Sequence, residues 1–397
     1  MADYRQEQPD NAQQPPQQEE RTPGRGGLFL RRLGTLLVTA LIVLGIVAVS
    51  MMGDGKTLDR VRRWLNYGSV AEEDRYTFAA DANNRYGQIG EYLVVLSQNY
   101  IQFLEDSGTA YRTVEELGLS QPALDTGGGL AVAYDVGGQN LFVVSPEETR
   151  LELSLPEGYG YISARLNDSG WLAVTSEKSG YRGAVTVYDD TQELVYEVDL
   201  SSQFVVDACV TDDCRSVVVV TYGEENGAFC TQLTWYDLTE EEPAQVASLT
   251  NHVGFDLGQA GEVYVSVSDS EVAFVGGSGG VVGGYSFGGQ YLQDYAFGDD
   301  FTALFLTRYQ AGSIGTIVLL DSQGNLLGAM DISDEILDID AAGDYLAVLQ
   351  SNALVLYHRD LTEYSSLEDT DYASHVLMDG DGSAVVIGGN EAWRYLP

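Results

Sequence analysis

Lysine is nearly absent from this chain: of 397 residues, only Lys56 and Lys178 are lysines. Lysine and arginine together number 20 against 60 acids, a formal charge of -40. Residues 1–53 hold five acids and five arginines, which cancel, so the whole deficit lies after residue 53. Such a surface repels phosphate backbones and anionic headgroups, which argues against nucleic-acid binding and leaves cations, basic proteins or neutral glycans as partners. Cysteine is scarce too. Three residues are too few for a disulfide framework, and no Cys/His spacing suits zinc. Cys209 and Cys214 flank a turn-like Val210-Thr211-Asp212-Asp213, and two readings of them stay open: a bridge across a hairpin, or plain burial of two small thiols. Cys230 is left over in either case. Histidine occurs only at His252, His358 and His375, no two at ligand spacing, so structural or surface roles are expected and no metal site or cofactor is assigned.

What is present is a repeat. Gly90-Glu91-Tyr92-Leu93-Val94-Val95 pairs a turn with a short apolar run, and Gly170-Trp171-Leu172-Ala173-Val174 and Gly343-Asp344-Tyr345-Leu346-Ala347-Val348 do the same. Eight such turns begin at 90, 129, 170, 215, 261, 300, 343 and 382. A spacing of about 40 residues built from short strands is the signature of a propeller with one four-stranded blade per repeat. The third repeat shows the pattern fully. Tyr161–Leu166 is strand a, Trp171–Thr175 strand b, Ala184–Tyr188 strand c and Glu193–Val198 strand d, each bounded by Asp, Asn, Gly or Ser. The last repeat supplies only three strands before Pro397, while a spare strand, Arg75–Ala79, precedes the first. Using it as the fourth strand of the last blade closes the ring and removes two open edges. The expected fold class is all-β, an eight-bladed propeller over residues 76–397, preceded by one transmembrane helix.

That helix is read from Leu33–Met52, 20 residues without a charge. At about 1.5 Å per residue the run reaches about 30 Å, a bilayer core. It is too long for a signal-peptide core, so residues 28–53 are expected to form an uncleaved anchor through which the protein meets the membrane. Residues 1–27, rich in Gln, Pro, Glu and Gly, read as a disordered tail. Four arginines precede the span and Lys56, Arg60, Arg62 and Arg63 follow it, so the positive-inside rule does not decide orientation. A short tail and a long following domain favour an extracytoplasmic propeller. Residues 54–75 form a juxtamembrane linker. In it Leu58, Val61, Trp64 and Leu65 share helical periodicity, suiting a short amphipathic helix at the interface or against the propeller's base.

Strand c often ends in an aromatic or aliphatic residue and an acid, as in Tyr188-Asp189, Tyr236-Asp237, Leu320-Asp321 and Leu104-Glu105. This looks like the c–d hairpin of WD40-like and quinoprotein-like propellers, without the glycine-histidine pair of the former or the tryptophan-docking motif of the latter. Anchor plus propeller, over residues 33–397, is similar to an uncharacterised family of membrane-anchored bacterial propellers from Firmicutes, a domain of unknown function. The resemblance implies a Gram-positive envelope protein and carries over no functional residue.

Motifs of catalysis and metal binding find no suitable context. Gly276-Gly277-Ser278-Gly279-Gly280 fits the nucleophile pattern but lies between two strand-like runs, where a glycine-rich hairpin is expected. Asp379-Gly380-Asp381-Gly382-Ser383 opens like a calcium loop, yet its twelfth position is Asn390 and the flanking helices are missing. The expectation is a non-enzymatic module that binds an unknown protein or glycan, with a propeller hydrolase or lyase of an envelope polymer as the alternative. The b–c and d–a loops share one face. Those at 176–183, 223–227 and 308–315 are longest, and Tyr181, Arg182, Tyr222, Arg308 and Tyr309 are the candidate binding residues, with Tyr159, His252 and Tyr291 nearby.

Overall fold

The architecture comes from a computed structural model, which describes residues 75–397 apart from 80, 106, 107, 241 and 371. The second strand of each blade explains the sequence repeat. In blade 1 this strand is Tyr92–Leu96. Val94 and Leu96 pack with Ala131 and Ala133 of blade 2, whereas Leu93 and Val95 pack with Tyr76 and Ile387 of blade 8. In blade 4 (Ser216–Glu225), Val218 and Val220 face Leu257 and Tyr264 of blade 5, while Val217 and Val219 face Val185 and Val187 of blade 3. Alternate side chains thus enter different cores. A strand buried on both faces reads as an unbroken apolar run.

Eight four-stranded antiparallel sheets result, with one apolar core between each pair of neighbouring blades. Blade 3 is representative: strands a (Tyr161–Leu166), b (Leu172–Ser176), c (Gly183–Tyr188) and d (Leu194–Leu200). The a strands of adjacent blades approach one another around the axis, least closely between blades 4 and 5, and the d strands are outermost, with alternate residues exposed. The a–b and c–d turns lie at one end of the barrel-like ring, called here the turn end. The b–c and d–a connections lie at the opposite loop end.

The acid that closes strand c builds the turn that follows. Asp189 Oδ1 accepts hydrogen bonds from the backbone N–H of Thr191 (2.9 Å) and Glu193 (3.0 Å), while Gln192 takes a left-handed φ of 65°. Asp321 does the same for Gln323 and Asn325, with Gly324 in the left-handed position. A short side-chain acceptor favours such turns, and a register shift follows in strand d in blades 1 to 7.

Blade 8 contributes His375–Met378, Ala384–Gly388 and Glu391–Tyr395, and its fourth strand is Arg75–Thr77 from the start of the described chain. Arg75 pairs with Trp393 and Thr77 with Glu391, so this strand runs from the turn end toward the loop end. The chain preceding Arg75 therefore joins the ring at the turn end. Tyr76 lies at the centre of the join, fully buried with Phe78, Leu93 and Ile387. Among the described residues no helix is long and apolar enough to cross a membrane. The tail at 1–27, the apolar run Leu33–Met52 and the linker helix at 57–65 lie outside them.

If this strand locks the ring, Tyr76→Ala costs about 3–5 kcal/mol, as for other buried aromatics. Leu194→Ala, on the exposed outer strand of blade 3, stays within about 0.5 kcal/mol. Urea unfolding followed by tryptophan fluorescence measures both, and equal losses would show that the join is dispensable.

Candidate functional site

The two ends of the ring have opposite chemistry. Large apolar side chains that stand exposed fall either on outer strands or at the loop end, where they include Tyr181, Phe204, Phe229, Phe255, Tyr309 and Tyr372. The described residues of the a–b and c–d turns carry none. Those turns are instead acidic, with Asp168, Asp189, Asp212, Glu262, Asp299 and Asp344 among them, and their bases are Arg215 and Arg359.

At the loop end the blade 3 connection folds over its neighbour. The Arg182 guanidinium lies 4.5 Å from the centre of the Phe204 ring, and Lys178 Nζ sits 5.7 Å from that of Tyr181. Lys178 is held by Glu197 (2.6 Å) and Asp199 (2.7 Å), whose hydrogen bonds raise its pKa. Tyr222 is not free for a ligand: half-buried, it donates its hydroxyl hydrogen bond to the Gly254 carbonyl and ties blade 4 to blade 5. Arg308 and Tyr309 are exposed, but on blade 6, three blades from Tyr181. The five candidate residues therefore form two separate surfaces and one internal tie. Tyr159 lines a shallow hollow with Gly137 and Glu177, and Tyr291 opens the inner strand of blade 6.

Of the two readings left open for Cys209 and Cys214, the structure has the unbridged one: both are free thiols, as is Cys230. Cys209 sits opposite Val218 in the ladder, while Cys214 lies in the a–b turn with φ 55° and accepts a hydrogen bond from Asn167 Nδ2 (3.4 Å). Burial pushes the Cys209 thiol up to about 12. Residues 277–280 are a c–d turn between two strands. In the a–b turn of blade 8, Asp381 Oδ1 accepts hydrogen bonds from the backbone and hydroxyl of Ser383. His252 is buried, its Nε2 2.9 Å from Ser266 Oγ and its Nδ1 3.2 Å from Glu271, and burial lowers its pKa.

One constellation escaped the sequence reading: the inner strands line the axis with carboxylates. In blades 4, 6 and 7 a bulge in strand a precedes Asp207, Asp294 and Asp338, and a bulge re-aims the side chain beside it. Most of these acids tie neighbouring blades. Asp125 accepts the Leu166 N–H (2.7 Å), Asp294 that of Ile339 (3.0 Å), Asp338 that of Val376 (2.8 Å) and Asp340 that of Met378 (2.7 Å). Arg165, from the inner strand of blade 3, reaches across to Asp207 (2.7 Å) on blade 4 and to Asp256 on blade 5, and donates to the Leu257 carbonyl (2.7 Å). Burial opposes its charge, but Asp207, Asp256 and Asp125 outweigh burial and raise its pKa. Among the described residues no such cation faces Asp294 and Asp340. Burial pushes both up to about 7, assisted at Asp294 by the neighbouring Asp338 carboxylate and opposed by the backbone N–H groups. Toward the turn end the axis widens into a cavity of about 690 Å³ between Asp125, Arg165, Asp212, Glu262 and Asp299. Among the described residues no group of three or more His, Cys, Asp or Glu is arranged to hold a metal ion.

Residues 62–390 match a family described as being of unknown function, DUF5711. BamB from Moraxella catarrhalis superposes with TM-score 0.53 at 10% identity, covering 82% of this chain and 100% of that one. Sqt1 from Saccharomyces cerevisiae gives 0.53 at 9%, over 82% and 96%, and the computationally designed Ika8 protein 0.56 at 11%, over 82% and 98%. At such identities the likeness concerns the propeller alone. No curated protein matches the chain.

The axial acids set a pH dependence. Asp294 and Asp340 have folded-state pKa values raised above the unfolded carboxylate value, so the folded protein binds protons that the unfolded chain releases. The stability they contribute is fully present below about pH 4 and is lost as pH rises through about 7. Melting temperature should fall between pH 5 and 8, and the Asp294→Asn, Asp340→Asn double variant should fall less, with His252 common to both proteins. Parallel curves would refute the assignment. Arg165→Met leaves Asp207 and Asp256 without their cation and should cost about 3–5 kcal/mol in urea unfolding.

Proposed function

This chain belongs to the DUF5711 family of unknown function, and we propose that it is a membrane-tethered, protein-binding scaffold of the bacterial cell envelope, with its loop end as the binding surface. The observation that carries the reading is that the exposed aromatics, apart from Tyr111 on the outer strand of blade 1, gather at the end opposite the one at which the preceding chain joins. An anchor at Leu33–Met52 would tether the ring through its turn end and leave the loop end directed outward. The acidic turns suit that arrangement, because they are repelled by anionic headgroups and hold the ring off the membrane.

A binding role accords with what the axial residues do. Four of the carboxylates on the axis accept backbone N–H groups of the next blade, and Arg165 is bound to two others. Groups fixed in this way brace the ring rather than attack a substrate. We therefore read the protein as a binder and not a catalyst, with protein favoured over glycan because isolated aromatics beside arginine are the residue types of protein interfaces. Tyr181 with Arg182 and Phe204 forms one contact region, and Arg308 with Tyr309 another.

Photoreactive side chains test this in the full-length chain in native membranes. At positions 181 and 309 they should capture protein; at 190 and 322, in turn-end hairpins, they should not. Capture confined to the turn-end positions would reject the proposed surface, and protease digestion of intact protoplasts reports on the membrane side.

A further inference from the structure

The inner strands do not crowd the axis evenly. They stand farthest apart between blades 4 and 5, and the cavity of about 690 Å³ opens in that sector, at the turn end. Buried Leu257 and Tyr264 give it an apolar wall, continued by half-buried Phe297, which packs directly on Gly258 and leaves no room there for a Cβ. The rim consists of a–b turns, where Asp168, Asp212, Glu262 and Asp299 stand exposed. Two of these carboxylates are fixed in place, Asp212 by the Gln259 side chain (2.7 Å) and Asp299 by the Gly343 N–H (3.1 Å). Arg165, inside the cavity, is already committed to Asp207 and Asp256. Among the described residues no lysine or arginine pairs with any of the four rim carboxylates.

Tyr264 adds a hydrogen-bond donor to that wall. It is 5% exposed, and the Trp235 indole N–H lies beside its hydroxyl, but among the described residues nothing accepts its own proton. A buried hydroxyl lacking an acceptor suits a backbone carbonyl brought in from outside. One stretch of the chain has the properties that complement such a mouth. Four of the 20 basic residues fall within 56–63, namely Lys56, Arg60, Arg62 and Arg63, and Trp64 and Leu65 follow directly. This stretch lies outside the described residues, and the ring begins after it, with Arg75 at the turn end. The chain from Trp64 to Arg75 can span about 38 Å. Four strands spaced about 4.8 Å apart set the outer strand of blade 8 about 15 Å from its inner one, which leaves about 20 Å to cross the axis. A ligand tethered at such a distance is held at about millimolar effective concentration, so even weak pairing keeps it in place.

We propose that the chain's own Arg62-Arg63-Trp64-Leu65 segment docks in the turn-end mouth of the axis, with its arginines among Asp168, Asp212, Glu262 and Asp299 and Trp64 against Phe297 and Leu257. A membrane surface is the competing destination for a basic segment that carries a tryptophan. The ring offers what a neutral headgroup does not: four carboxylates around one opening, beside an apolar wall. Docking there closes the axis at the end nearer the preceding chain and is independent of what the loop end binds.

The full-length chain in detergent, carrying benzoylphenylalanine in place of Trp64, reports where that position sits. Irradiation should join it to residues 257–264 or 297–299 of the same chain, located by peptide mass spectrometry on the monomer band. Arg62→Glu with Arg63→Glu should lower that yield by about five-fold or more, and so should Asp168→Lys with Glu262→Lys. All four changes together reverse both partners and should restore it. The first pair precedes the ring, and the second is exposed and makes no side-chain hydrogen bond within it, so these variants fold. Salt at about 1 M, where charges are screened beyond about 3 Å, should lower the wild-type yield as well. Cross-links confined to detergent, to a second chain or to other parts of the ring would overturn the proposal. A yield at 257–264 and 297–299 that ignores both charge reversals would overturn it too. Capture of protein at positions 181 and 309 stays the same in either event, so the scaffold reading and the docked segment are judged separately.

Discussion

Everything in this ring depends on each blade burying both of its faces against its neighbours. No blade has a core of its own. The second strand of each one supplies alternate side chains to two different cores, as Val217 and Val219 do toward blade 3 and Val218 and Val220 toward blade 5. A sheet with two apolar faces is unstable alone and stable only in a closed circle, which is why blade 8 must exist in full and why it borrows Arg75–Thr77 to do so.

The same constraint made much of the fold legible in the sequence. Strands buried on both faces appear as unbroken apolar runs such as Leu93-Val94-Val95-Leu96, and each follows a turn at a regular interval, so blade number and strand order could be counted. The missing strand after Trp393 and the surplus one before Arg85 pointed to each other. Harder to see was where individual side chains point. The axial aspartates lie among 60 acids, and the bulges that aim Asp207, Asp294 and Asp338 leave no mark in composition. Phe204, Phe229 and Phe255 look like core residues in a linear reading, though they stand exposed. Tyr222 looks like a surface residue and is a tie between blades. The 223–227 segment reads as a loop because Gly223, Asn226 and Gly227 interrupt it, yet pairing continues through Glu225. The choice between a bridge and free thiols at Cys209 and Cys214 was not legible, because it depends on register: the ladder assigns Cys209 to Val218 and leaves Cys214 in the turn.

Polar and apolar labour are divided along the radius as well as between the ends. Near the axis, cohesion between blades passes through carboxylates and backbone N–H groups; farther out it passes through packed Val, Leu and aromatic side chains. Against this regular frame, local exceptions to the repeat stand out. The long hairpin of blade 4 and the side-chain-free stretch of blade 5 are two such exceptions, and they are neighbours.

The seam in blade 8 also governs when the ring can form during synthesis. Tyr76 belongs to a core with Val385, Ile387 and Ala392, so the first strand to leave the ribosome waits for almost the last. Until then blades 1 and 7 each present an open apolar face, and contacts of such sequence separation form slowly. A chain translocated while still being made would spend that interval with its earliest strand unpaired, which places the demand for chaperone protection on nascent chains rather than on the finished ring.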